Sequence, residues 1–329
     1  MKNQKRGIIL LNMGGPGSQD DVAPFLFNLF SDREIIRLGP GLLQKPIAWF
    51  ISHRRAPKSR AIYAKIGGGS PLLNITLQQA AALQKMLEEE GDFPVTVAMR
   101  YWQPFAEEAI NHLLNQGVDS ITAVTLYPHF SRATTGSSVN NLQKHLTQRA
   151  PRLPLNIINS YPTQPSYIKG LAENIMAGLH EFDSDHVQII YSAHSLPMSF
   201  VREGDPYVDH LKKTITAVEE ITGLQGRLCY QSRSGPVEWL SPSTPEMLKT
   251  LAEEECRNIL AVPISFVSDH IETLYEINML YREQAKKLGM RLRPSPSLNT
   301  SPLFINCLKE LVLQVKSTDR DNQSTDGTL

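Results

Sequence analysis

VQIIYSAHSLPMS, residues 187–199, is the stretch that decides the fold. It is a run of apolar and β-branched residues that ends abruptly in a histidine and is followed by a proline turn. Such a run without polar alternation fits a strand buried on both faces, as in a parallel sheet covered by helices. In open parallel sheets ligands bind at the carboxyl ends of the strands. His194 at this strand's exit therefore stands where such folds place chemistry. Position alone leaves a hydrogen-bonded structural histidine as an equal reading. A Ser–His hydrolase dyad is disfavoured, because Ser195 is the immediate neighbour and neighbours on a strand point to opposite faces.

Outward from this strand the same pattern recurs. Candidate strands lie at 7–13, 95–101, 120–128, 155–162, 187–194, 227–233, 258–266 and 290–298, which makes two sets of four. Amphipathic helices alternate with them: TLQQAAALQKMLEEEG, PFAEEAINHLLNQG, PSYIKGLAENIMAGLHEF and IETLYEINMLYREQAKKLG, several with a glycine stop. The two sets resemble each other. SITAVTL at 120 aligns with NILAVPI at 258, and SYPTQPSYIKGL at 160 with SLNTSPLFINCL at 297, at nearly equal offsets, as a duplicated α/β unit would. Residues 14–70 form a long insertion in the first half, before the next regular helix. The expected organisation is a first domain over 1–165 carrying that insertion, a second over 166–315, and a polar tail over 316–329 with too little apolar surface to fold.

The 329 residues fit two domains with substantial cores, facing each other across a cleft. Lys plus Arg (33) equals Asp plus Glu (33), so there is no net field to hold nucleic acid. The three cysteines, Cys229, Cys256 and Cys307, are far apart and form no CxxC. This argues against a disulfide framework, a structural zinc or an iron–sulfur cluster, and fits a reducing compartment. The start, MKNQKRGIILLNMGG, has an apolar run too short for a signal peptide and reads as the first strand. No stretch reaches the ~20 apolar residues that cross a bilayer.

A second strand exit, VPISFVSDHIETLYE, ends near Phe266 and is expected to start a helix at Asp269. Asp269 and Glu272 fit the D-x-x-E form of a capping box, which would need no function. Capping does not account for Glu276. Glu272 and Glu276 lie four apart, where like charges on one helical face are unfavourable unless solvated or compensated by a cation. An imidazole facing a carboxylate ladder suits a divalent metal of intermediate softness such as Fe²⁺. Two protein ligands are too few for a structural site and suit a metal that must leave. The insertion adds GLLQKPIAWFISHRRAPKSRAIYAKIGGGSP, residues 41–71, amphipathic and aromatic at first and then basic through Arg54, Arg55, Lys58, Arg60 and Lys65. A solvated helix accounts for the charges. The apolar part with its basic rim fits a flat hydrophobic ligand bearing carboxylates, or a membrane surface.

Seven segments together carry a resemblance: LNMGGPGS (11–18), RRAPKSRAIYAKIGGGSPL (54–72), RYWQPF (100–105), FSRATTGSS (130–138), SAHSLPMSFVREGDPY (192–207), QSRSGPVEWLSPST (231–244) and SFVSDHIETLYEI (265–277). In this order they resemble the ferrochelatases over almost the whole chain. The resemblance implies an α/β fold of two Rossmann-like domains, each a four-stranded parallel sheet flanked by helices, and insertion of Fe²⁺ into protoporphyrin IX to form protohaem. It implies that His194 and Glu272 face one another across the porphyrin, binding metal or taking protons at its centre. Glu276 would be the next step of a carboxylate path, and Asp269 would orient His270. Met13, Tyr63, Arg100, Trp239 and Phe266 match positions lining the pocket; Arg55, Lys58, Ser70 and Ser232 match positions near the propionates. Arg132 in the SxxTTGSS segment and the lack of a cysteine-rich tail imply no [2Fe–2S] cluster, and Fe²⁺ enters only as substrate.

The LNMGGP start looks more like protoporphyrin-using members than coproporphyrin-using ones. The expected partners are the porphyrin and Fe²⁺, with no nucleic acid and weak peripheral attachment to a membrane. The expected state is a cytoplasmic monomer or homodimer. Two rival readings differ in kind: a cobalt or nickel tetrapyrrole chelatase, which a metal-selectivity assay separates, and a haem carrier, which would bind haem without turnover.

Overall fold

Eight strands form in the expected places: β1 (Arg6–Asn12), β2 (Val95–Met99), β3 (Ser120–Thr125), β4 (Leu155–Ile158), β5 (Gln188–His194), β6 (Gly226–Gln231), β7 (Asn258–Pro263) and β8 (Arg291–Pro294). The computed structural model describes residues 5–183, 186–233 and 235–315, so the polar tail from Lys316 lies outside the described residues. Every strand but β5 ends earlier than its expected segment, whose last residues continue into the exit loops. The strands make two four-stranded sheets, ordered β2-β1-β3-β4 and β6-β5-β7-β8, parallel throughout. The shared order supports the repeat expected from the offsets.

The helices are α1 (Val22–Ser31), α2 (Gln44–Lys65), α3 (Leu72–Leu87), α4 (Ala106–Asn115), α5 (Ser137–Arg149), α6 (Pro165–Leu179), α7 (Met198–Arg202), α8 (Tyr207–Thr222), α9 (Thr244–Glu253), α10 (Arg282–Lys287) and α11 (Pro302–Gln314). Gly117 (φ +70°) and Gly289 (φ +78°), just beyond α4 and α10, are left-handed, as helix stops require. The insertion is more regular than the sequence implied. It folds into α1 and α2, whose Val22, Phe25, Leu26, Phe30, Ala48, Ala56 and Tyr63 make a small core of their own with Tyr101. α3 also begins a turn earlier than expected, directly after Pro71.

Period-two burial explains the layering. Ile8 and Leu10 of β1 belong to one core cluster, Ile9 and Leu11 to another. The first cluster is continuous through both sheets, joining Ile8, Val97 and Val124 to Ile189, Tyr191 and Val262 through residues of α3, α6, α8 and α11. The outer face of the first sheet is covered by α4 and α5, and that of the second by α9, α10 and the segment before α10. In β5 the inward residues are Ile189, Tyr191 and Ala193, so His194 falls in register with Ile190 and Ser192 on the other face. No helix among the described residues is long and apolar enough to cross a membrane.

Candidate functional site

The site is assembled from the ends of β5, β6 and β7. His194 closes β5 and is paired across the ladder with Gln231, the last residue of β6. Its backbone is pinned on both sides: its N–H donates to Ser265 Oγ (2.9 Å), and its carbonyl accepts from Tyr207 OH (3.0 Å). Its Nδ1 lies 3.0 and 2.9 Å from Oε1 and Oε2 of Glu272. The imidazole keeps 36% of its surface exposed, whereas the Glu272 side chain keeps 10%. The resemblance implied that these two residues face each other across the porphyrin. Instead they are directly hydrogen-bonded, so no ring fits between them.

Glu272 opens a π-helical segment, Glu272–Tyr281, which runs on into α10. The expected capping box does not form. Asp269 is held by Ser297, Asn299 and Thr273, and its N–H donates to Asn299 Oδ1, while Glu272 turns to His194. Nor does Asp269 orient His270, whose Nδ1 lies 3.0 Å from the Ser268 carbonyl. His270 Nε2 is 3.8 Å from Glu272 Oε1. π-Helical turns are rare and cluster at functional sites. Here the wider turn sets Glu272 and Glu276 on different contacts: Glu276 Oε2 accepts from Ser232 Oγ (2.7 Å) and Tyr281 OH (3.3 Å).

The electrostatics follow from this packing. Burial would lower the His194 pKa, but the charge and hydrogen bond of Glu272, with Glu276 behind it, outweigh burial and raise it. Burial would raise the Glu272 pKa, yet His194 and His270 hold it well below the usual carboxylate range. Glu276 moves the other way. Burial and the charge of Glu272 raise its pKa, against partial opposition from Ser232, His194 and Tyr281. Two carboxylates four residues apart thus have opposite proton affinities, the usual mark of groups with different tasks.

The other expected residues divide into two groups. Phe266 stands edge-on to His194 (6.2 Å between centroids) and against His270 (4.1 Å). Tyr63 is buried at the end of α2, and its pKa is raised by burial and then by the charge of Glu272, which brings α2 to the site. Met13 and Ile271 pack on the same apolar cluster as Tyr63. Trp239 is half-buried and bridges by its backbone to Pro197. Ser232, implied to be near propionates, instead gives its hydroxyl to Glu276. Arg100 binds Asp32 (2.9 Å) and Ser137 (2.7 Å), a tie between α1, β2 and α5. Arg55 lies over the Phe30 ring, Lys58 is exposed, and Ser70 packs against Gly15, where a Cβ would come within 2.6 Å of it. These last three sit along the insertion and its junction with α3, and among the described residues none is hydrogen-bonded to the network of His194.

Sequence reading missed the groups that hold the pair: Ser192, Gln231, Ser265 and Tyr207. The available signal was register, since Gln231 closes the strand next to the one His194 closes. Among the described residues no group of three or more His, Cys, Asp or Glu could hold a metal ion, and the three cysteines are free.

The chain matches the family described as Ferrochelatase over residues 5–316. A protein named Ferrochelatase from Desulfotalea psychrophila is 60% identical over 314 residues, covering 95% of this chain and 98% of that one. Another from Geotalea daltonii is 51% identical over 318 residues, covering 95% and 99%. Among solved structures, SirB from Bacillus subtilis with Fe³⁺ overlays with a TM-score of 0.56 at 12% identity, covering 94% of this chain and 95% of that one. CbiX, described as the terminal enzyme for biosynthesis of siroheme in denitrifying bacteria, overlays at 0.51 with 13% identity, covering 95% and 100%. At such identities these two overlays speak for the fold alone.

Proposed function

The chain belongs to the ferrochelatase family of porphyrin-metallating enzymes, and on that premise we propose that it inserts Fe²⁺ into protoporphyrin IX to give protohaem, with His194, Glu272 and Glu276 moving protons and metal. The observation that carries this reading is the contact of 2.9–3.0 Å between His194 Nδ1 and the Glu272 carboxylate at the strand exits. Glu272 accepts from Nδ1–H, which leaves Nε2 of the neutral imidazole as the free lone pair. That nitrogen takes a pyrrole proton, and the adjacent carboxylate stabilises the imidazolium that forms.

The same spacing suits metal. Two cis ligands, each about 2.1 Å from a divalent ion, lie about 3.0 Å apart, the separation of this pair. Fe²⁺ can therefore take the place of the proton shared by His194 and Glu272, which is released to solvent as the metal enters. Glu276, whose raised pKa favours a bound proton, receives and releases protons one step further from the ring. The balance is simple: two pyrrole protons leave as one Fe²⁺ enters, and no oxidant or reductant is consumed. Met13, Tyr63, Trp239 and Phe266 line the ring, with Arg100 behind, and Arg55, Lys58 and Ser70 attract its propionates. Binding at the ring's edge holds the macrocycle distorted so that the nitrogen lone pairs become accessible.

Fe²⁺ is substrate on this reading, and the enzyme needs no tightly bound cofactor and no [2Fe–2S] cluster. Three separated free cysteines support that view. The exposed Leu42, Leu43, Trp49 and Phe50 beside Arg54 and Arg55 support weak peripheral attachment of a cytoplasmic monomer or homodimer to anionic lipid. Anaerobic incubation with Fe²⁺ and protoporphyrin IX, followed by loss of porphyrin fluorescence, tests the function. Parallel arms with coproporphyrin and with Co²⁺ test the substrate and the metal. Turnover is expected in the first arm and is expected to be the fastest there; a stable haem complex without turnover overturns the proposal.

A further inference from the structure

Gln231 is almost wholly buried, at 2% exposure, and nothing in the reaction above uses it. Its Nε2 lies 2.9 Å from Glu272 Oε2, and its Oε1 lies 2.6 Å from Ser192 Oγ. Ser192 Oγ is in turn 3.4 Å from Thr244 Oγ1. The direction of this chain is fixed by chemistry. A carboxylate only accepts hydrogen bonds, so the amide NH₂ of Gln231 must face Glu272 and its carbonyl must face Ser192. Ser192 therefore donates to Gln231, and Gln231 donates to Glu272. Ser192 and Gln231 lie on the strands adjoining the Glu272 segment, so the relay is anchored in the sheet rather than in a loop.

Among the described residues, Oε1 of Glu272 has no comparable anchor besides His194. His270 Nε2 is buried, has no hydrogen-bond partner among the described residues, and stands 3.8 Å from Glu272 Oε1; with Nδ1–H donating to the Ser268 carbonyl, the neutral ring turns only a lone pair to that oxygen and does not hold it. A metal that takes the place of the proton shared with His194 removes one of the restraints on the carboxylate at the moment its aim matters. We propose that Gln231, set by Ser192, is a positioning residue that retains Oε2 of Glu272 during that exchange, so that Oε1 stays presented to the incoming divalent cation. The inference rests on the reading of Glu272 as a metal-handling group. Outer hydrogen-bond partners of metal ligands are worth about 10–100-fold in affinity or activity.

The test compares Gln231→Met, close in size and without the amide, and Ser192→Ala with the parent and with Glu272→Gln. Fe²⁺ KM, kcat, protoporphyrin Kd from fluorescence and Tm are measured for each. Gln231→Met is expected to raise the Fe²⁺ KM and lower kcat by a combined factor of about 10 or more, with porphyrin Kd within about twofold. Ser192→Ala is expected to give a smaller change of the same kind. In the Glu272→Gln background Gln231→Met is expected to add nothing. Unchanged iron kinetics in Gln231→Met, with Glu272→Gln crippled, overturn this inference alone. A Glu272→Gln enzyme that keeps its activity overturns the underlying reading as well. Equal weakening of porphyrin and iron in Gln231→Met reduces the relay to ordinary packing and also overturns it.

Discussion

The two sheets can be laid on one another bond by bond. Leu126 N–H donates to the Leu11 carbonyl as Ile264 N–H donates to that of Ser192, and Met99 N–H donates to Pro104 as Tyr230 N–H does to Pro242. In that register Met13 occupies in the first half the place that His194 occupies in the second, and Arg100 the place of Gln231. A π-helical segment follows the third strand of each order, Arg132–Gly136 in one and Glu272–Tyr281 in the other. The backbone thus offers two similar strand-exit sites. The side chains separate them: a thioether and an arginine locked to Asp32 in the first half, an imidazole locked to a carboxylate in the second. The fold supplies position twice, and the second position carries the imidazole–carboxylate pair.

The strongest test of this asymmetry exchanges the importance of the equivalent positions. His194→Ala is expected to lower metallation by 10² or more while porphyrin binding stays within about threefold, as for loss of a positioned acid–base group. Met13→Ala is expected to weaken porphyrin binding with kcat changed by less than about tenfold, since only apolar contact is lost. Comparable kcat losses at both positions would break the comparison.

Within the second half, Glu272→Gln is expected to cut turnover severely at saturating Fe²⁺, and Glu276→Gln less so. The sign of the accompanying titration is fixed. Burial lowers the His194 pKa and Glu272, with Glu276 behind it, raises it, so in Glu272→Gln the imidazole, followed by NMR, is expected to titrate at lower pH than in the parent. A titration that stays put or rises would mean the carboxylate is not what sets the histidine.

The seam between the halves has its own histidine. His129, 2% exposed, contacts Thr214 Oγ1 of α8 at 2.9 Å, and burial, with a lesser contribution from His210, pushes its pKa down to about 3. Its folded pKa lies below its unfolded value near 6.5, so the unfolded chain binds the extra proton between those limits. The stability associated with the neutral ring is therefore complete above about pH 6.5 and is lost as pH falls toward 3, at roughly 1.4 kcal/mol per pH unit. His129→Gln is expected to flatten the acid limb of a urea-unfolding series by about that slope. The smallest effect belongs to the insertion: Trp49→Ser with Phe50→Ser is expected to reduce flotation with anionic liposomes at low salt. A rise in porphyrin KM alongside it would show that one surface serves both roles.

Much of this protein was legible before any coordinates. Hydrophobic runs fixed the eight strands and their parallel sheets, because a strand covered on both faces has to be apolar throughout. The offset between SITAVTL and NILAVPI indicated the repeat that the two strand orders share. His194 stood out as an imidazole at a strand exit and Glu276 as a like charge that no cap explained; the resemblance joined them with Glu272 into one site. What the sequence left open was partnership. A D-x-x-E spacing is as good for a helix cap as for a metal site, and only the packing of the Glu272 segment against β5 and β6 turned that carboxylate away from Asp269 toward His194. Gln231 and Ser192 carry no local pattern; they matter because residues 39 apart in the chain are neighbours in a sheet. Local sequence determines which backbone forms and which face is apolar, through forces that act over a few residues. Which buried polar group meets which is decided by the requirement that each find a partner at about 3 Å, and that requirement is met only when distant strands come together.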